Sequence, residues 1–314
     1  MGRFSVAITA TLIWVGGSFL SSVTAESPKP VPTEYEMAAS TLARSTSPVW
    51  SLAVSPEGNW IAAGNESGQV IVRNALIQKT AHVLGGHTGI VSALDFSPSG
   101  DYLASAGVDG PIRIWHVPSG RLQFMLTGHT NWVTDLKFSA NGELLASSGY
   151  DRTVRLWNVQ TGVQSSLFEG HTATVRSLAF APDGQLLASA GDSGILWFWN
   201  LKTGEHQKPL PPQEAALQTV DFSPDGKKLL TVPQEGKIQI WELKKKKSER
   251  SFSAVDPSDT DSAPQAARFA SGGQTVLVGT RGGRARVWSV ETGKLLQSLN
   301  GHTDIVSALA LPRN

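Results

Sequence analysis

Cysteine is absent from all 314 residues, which excludes disulfides, thiolate metal sites, a cysteine nucleophile and a lipidated cysteine. Tyrosine and methionine are scarce at 3 each, against 10 tryptophans and 31 glycines, a bias that suits many short strands joined by tight turns. Neither sign of charge dominates, because 27 basic residues face 26 acidic ones. Residues 1–25 hold one Arg and no acid, so the remainder carries 26 of each, which is not the footprint of a nucleic-acid binder. Neither a Gly-rich phosphate cradle nor a His-Glu-x-x-His helix occurs, and no cofactor or metal is expected.

The long apolar stretch of the chain is N-terminal. Arg3 supplies a positive end, residues 4–20 are apolar or small, and Val23-Thr24-Ala25 offers small residues at a cleavage site. The run is interrupted by Gly16, Gly17 and Ser18, which disfavours a membrane anchor. The pattern predicts a signal peptide over 1–25 cleaved after Ala25, a linker or closing strand over 26–44, and a secreted or periplasmic domain over 45–314. Membrane contact is expected only during export.

That domain is a repeat. His87, His129 and His171 stand 42 residues apart, and Gly100, Gly142 and Gly184 each follow 13 residues later. The register extends without His to Ser45, Gln213 and Thr260, and His302 closes the series. Between Gln213 and Thr260 the interval is 47, and the excess falls in a loop, where insertions cost little. Each unit holds four apolar segments of strand length separated by Pro/Gly or Asn/Gly turns, the signature of a propeller blade. The fold class predicted is all-β, a β-propeller of four-stranded blades with six full repeats. An incomplete seventh blade is expected from the segment near Ile305, with residues 34–44 as its outer strand.

Gly-His followed by Trp 28 residues after the His resembles the Trp-Asp (WD) repeat family, with Trp115, Trp157, Trp199, Trp241 and Trp288 at that offset. The second letter departs every time, being His116, Asn158, Asn200, Glu242 and Ser289. The resemblance implies one buried hydrogen-bonded network per blade. It is complete as His87, Ser105, Asp109 and Trp115, and again as His129, Ser147, Asp151 and Trp157. In the third copy His171, Ser189 and Trp199 remain but Ser193 replaces the Asp, so His171 is expected to lack a carboxylate. The outlying blades keep only Trp241 and Trp288, or Arg73 in the first.

Two constellations look catalytic. His129, Ser147 and Asp151 have the residue types of a nucleophilic triad, but their recurrence at identical offsets in two blades fits a structural girder better. The string Gly191-Asp192-Ser193-Gly194 falls on a tight turn, where those residues are ordinary. Asp256, Asp259 and Asp261 lack calcium-loop spacing and read as a solvated loop, and Asn65-Glu66-Ser67 has the form of a glycosylation acceptor on a turn.

In the resembled family, partners meet the face built from the loops before the inner strands and between second and third strands. Carried onto this chain, that face yields Trp50, Trp132, Tyr150, Arg176, Asp192 and Arg281 as partner-binding candidates. Trp, Tyr and Arg stand out because they dominate binding hot spots. Asp95, Lys137, Asp221 and Arg268 share offset 8 and are expected to line a water-filled, ion-paired central channel. The leading reading is an exported, non-catalytic scaffold for a protein partner, with self-association through the incomplete blade as a further expectation. Two others compete: a channel-mouth hydrolase or lyase, and a truncated copy of a longer WD-repeat protein.

Overall fold

A computed structural model of the protein describes residues 47–300, apart from 78, 208–209, 211–212, 214, 235–236, 246, 254–262 and 271, together with Leu309. Its strands form six antiparallel sheets of four, each paired in chain order. The first blade holds β1 (Val49–Val54), β2 (Trp60–Asn65), β3 (Val70–Asn74) and β4 (Lys79–Leu84). The second holds β5 (Ala93–Phe96), β6 (Tyr102–Ala106), β7 (Ile112–His116) and β8 (Arg121–Leu126). The third comprises β9 (Val133–Phe138), β10 (Leu144–Gly149), β11 (Val154–Asn158) and β12 (Gln164–Phe168). In the fourth are β13 (Val175–Phe180), β14 (Leu186–Gly191), β15 (Trp197–Asn200) and the short β16 (His206–Gln207). The fifth has β17 (Leu217–Phe222), β18 (Lys228–Pro233), β19 (Ile238–Glu242) and β20 (Lys247–Phe252). The sixth is β21 (Pro264–Phe269), β22 (Thr275–Thr280), β23 (Arg284–Ser289) and β24 (Leu295–Asn300). The blades stand in a propeller ring with their first strands innermost, and β1, β5, β9, β13, β17 and β21 pack in that order.

Position in the blade explains the residues. A second strand is covered on both faces by neighbouring blades, so LLASSG in β10 and LLASAG in β14 are buried almost throughout and built largely from small residues. A fourth strand faces solvent, and in β4 and β8 just the last residue, Leu84 or Leu126, is buried. Apolar packing concentrates between sheets. Trp157 packs with Ile112, Ile114 and Leu126 of the preceding blade, and Trp241 and Trp288 sit in the corresponding wedges of the fifth and sixth blades. The tryptophans therefore join consecutive sheets.

Polar staples reinforce these wedges along the channel. Asp95 accepts the Phe138 N–H at 2.7 Å, Asp135 that of Leu178 at 2.8 Å and Asp221 that of Phe269 at 2.8 Å, each reaching from one blade into the next. The expected seventh blade, including His302, Ile305 and residues 34–44, lies outside the described residues, as do residues 1–25 and Asp256, Asp259 and Asp261. Leu309 is buried against Leu277, Ala285, Val287 and Leu299 of the sixth blade. Asn65 is 1% exposed, and its carboxamide nitrogen donates to Gln69 Oε1 at 3.2 Å, so the expectation of an accessible glycosylation acceptor fails on burial.

Candidate functional site

The second and third blades carry complete hydrogen-bonded networks whose proton order follows from donor types. In the third, Trp157 Nε1–H donates to Ser147 Oγ at 2.9 Å. The Ser147 hydroxyl then donates to His129 Nε2 at 2.8 Å, and Nδ1–H donates to Asp151 Oδ2 at 2.8 Å. The second blade repeats it through Trp115, Ser105, His87 and Asp109 at 2.8, 2.8 and 2.9 Å. Burial alone would raise the pKa of Asp151, but bonds from His129 and Thr153 hold it well below the usual carboxylate range. Asp109 is lowered in the same way by His87 and Arg113. Although His129, Ser147 and Asp151 match a hydrolytic triad in connectivity, Ser147 is 0% exposed and already bonded to an indole, so no substrate reaches it.

The fourth blade departs from this pattern at two positions. Ser193 stands where Asp109 and Asp151 stand, and Trp197 where Arg113 and Arg155 stand. His171 Nε2 keeps Ser189 at 2.7 Å and Trp199 Nε1 donates to the same hydroxyl at 2.8 Å. His171 Nδ1, however, is buried with no partner among the described residues, and burial pushes its pKa down to about 4. The Trp197 ring stacks on Trp199 at 5.5 Å and meets His171 edge-on at 6.0 Å, so aromatic contact occupies the place of the ion pair.

The fifth and sixth blades keep less. Trp241 Nε1 donates to Thr231 at 3.0 Å, whereas the matching position beneath Trp288 is Val278 and that indole N–H is buried without a partner among the described residues. Val278→Thr is expected to supply the acceptor and raise stability by about 1 kcal/mol, read by urea unfolding. An unchanged or lower midpoint would count against the network assignment.

The upper face, carrying the turns between second and third strands, holds the partner-binding candidates. Trp132, just before β9, and Tyr150, just after β10, meet edge to face at 5.3 Å and 61°. Tyr150 is 40% exposed. On the adjoining blade Arg176 and Asp192 form a two-pronged ion pair, the Nη2 to Oδ2 arm at 3.1 Å. Burial would depress the Arg176 pKa, but Asp192 and then Tyr150 hold it above its ordinary value. These four residues thus join across two blades into one patch. Trp50, on the first blade, lines the upper channel mouth as Arg176 does, and its Nε1 is buried without a partner among the described residues. Arg281 is exposed on the sixth blade, on a turn of its own.

The channel beneath has an upper mouth of about 150 Å³ and a lower cup of about 480 Å³, and Lys137 and Arg268 line both. Arg268 lies 3.4 Å from Asp221, as the shared offset suggested, but Lys137 pairs at 2.7 Å with Asp135, two residues earlier on its own strand. Burial raises the pKa of Asp221 despite Arg268. Among the described residues no group of three or more His, Asp or Glu is placed to hold a metal ion.

One residue of this face escaped the sequence reading. Arg152 has φ 66°, in the left-handed region, where the aligned residues Gly68, Gly110, Gly194 and Gly283 also have positive φ. A side chain there costs about 1 kcal/mol. Asp151 holds the turn in place by accepting from His129, Thr130 N–H and Thr153 N–H. The signal was present in the alignment, as the one non-glycine in a glycine column.

The family model for the WD domain, G-beta repeat matches residues 38–74, 78–116, 120–158 and 162–200, and the chain belongs to the WD-repeat family. From 78 onward each match begins at the outer strand of one blade and ends with the third strand of the next, so sequence repeat and blade are offset by one strand. The matches end where the His of the network is lost. No curated protein matches the chain. The fold is one typical of protein-interaction scaffolds and is generally non-catalytic.

Proposed function

We propose that the chain is an exported, non-catalytic scaffold that presents the upper face of its third and fourth blades to a protein partner. The observation that carries this is the joined patch of Trp132, Tyr150, Arg176 and Asp192. An aromatic pair gives large contact area at little entropic cost, and the adjoining ion pair fixes a polar rim. Export rests on residues 1–25, and the exported fraction should contain a chain beginning at Glu26 by mass spectrometry. The absence of catalysis rests on burial of the triad-like hydroxyls and on the use of Asp95, Asp135 and Asp221 as backbone staples.

Affinity capture from the exported fraction tests the reading. Trp132→Ala combined with Tyr150→Ala is expected to weaken capture of the principal partner at least tenfold, about the loss of one hot spot, with the thermal melt unchanged. Equal capture by the double variant would refute the assignment.

A further inference from the structure

We infer that the partner segment docking on this face is an acidic peptide, and that Arg152 is the group that reads its carboxylate. The inference rests on the upper-face reading and adds a residue and a chemistry to it. Arg152 is exposed, and among the described residues its guanidinium has no ion-pair partner. It follows Tyr150 by two positions on the same turn, the one that carries the Tyr150 ring of the edge-to-face pair with Trp132. Its backbone sits where aligned blades use glycine, a conformation unfavourable for a side chain and held by the buried Asp151 network. Strain kept at an exposed turn with no side-chain hydrogen bond or ion pair in return among the described residues points to a role outside the fold.

Charge decides the ligand. The neighbouring Arg176 is occupied by Asp192, so the patch offers one free guanidinium and not a basic field. A nucleic acid or an anionic membrane needs a cluster of cations, and outside residues 1–25 the chain carries 26 basic and 26 acidic groups. A single planar fork on the turn that also carries Tyr150 suits one Asp or Glu carboxylate flanked by an apolar side chain.

Panning a random peptide library on the immobilised chain tests this, with Arg152→Gly, Arg152→Asn and Trp132→Ala chains panned in parallel. Gly and Asn both accept the left-handed turn, so these chains should melt no lower than the parent. The parent is expected to enrich peptides with Asp or Glu next to an apolar residue. The Arg152 variants should enrich apolar peptides without the acidic bias, and Trp132→Ala should enrich none. For a peptide selected on the parent, affinity should fall about tenfold on Arg152→Gly. An acidic bias that persists in both Arg152 variants, or that is missing from the parent, overturns the inference while leaving the face in place. Equal enrichment on Trp132→Ala, or none on any chain, removes the face reading as well. Tighter binding to phosphatidylserine vesicles or to single-stranded RNA than to the selected peptide also overturns it.

Discussion

Lowering the pH from about 6.5 to about 4 is expected to cost the protein up to ~3 kcal/mol through His171 alone. The imidazole titrates at 6.5 when unfolded but near 4 when folded, because burial next to Trp197 and Trp199 disfavours its cation. Between those values the unfolded chain binds a proton that the folded chain refuses. The stability is therefore complete above about pH 6.5 and is lost progressively down to about 4. Asp109 and Asp151, whose folded pKa values are depressed, act in a different window, losing their contribution as the pH falls through and below the ordinary carboxylate value of 3.8. Ser193→Asp separates the two. The Ser193 hydroxyl already accepts the Ile195 N–H at 3.3 Å, just as Asp151 Oδ1 accepts that of Thr153 at 3.1 Å. A carboxylate there can keep that bond and reach His171 Nδ1. Urea unfolding across this range should show a shallower loss for Ser193→Asp than for the parent, and an identical slope would contradict the assignment.

Trp157→Ala should destabilise the protein by ~3–5 kcal/mol, the cost of deleting a large buried aromatic whose surroundings relax only in part. The indole is 2% exposed and packs in the wedge between the second and third sheets, so its loss opens a cavity between two blades as well as within one. It also withdraws a donor from Ser147. With typical domain stabilities of about 5–15 kcal/mol, that is about a fifth or more of the total. Trp157→Phe keeps most of the volume and isolates the hydrogen bond, worth about 1 kcal/mol. Denaturant unfolding of both variants checks the pair. A loss below about 1 kcal/mol for Trp157→Ala would mean that the wedge is not a principal source of stability.

Much of this was legible in the sequence because a repeat writes each contact several times. His, Ser, Asp and Trp at fixed offsets disclosed the networks of the second and third blades, and Ser193 at the Asp position disclosed the unpartnered His171. Periodicity says which residues are buried but not which sheet covers them, so the placement of the tryptophans between sheets was not readable. The pairing of Lys137 with Asp135 was hidden for a related reason, since strand alternation points to shared faces and not to a bend of a long side chain along its own strand. The patch of Trp132, Tyr150, Arg176 and Asp192 was legible as separate candidates, but its continuity depends on two blades meeting. Arg152 passed unnoticed because a turn residue flanked by Asp and Thr looks ordinary until its column of glycines is set beside it.

Hydroxyl-radical footprinting of the chain alone and with its captured partner addresses the upper-face reading most directly. Protection is expected at Trp132 and Tyr150, with Trp60 and the lower-cup residue Phe180 unchanged. Protection confined to the lower cup, or to the outer strands, with Trp132 and Tyr150 as reactive as in the free chain, would contradict it.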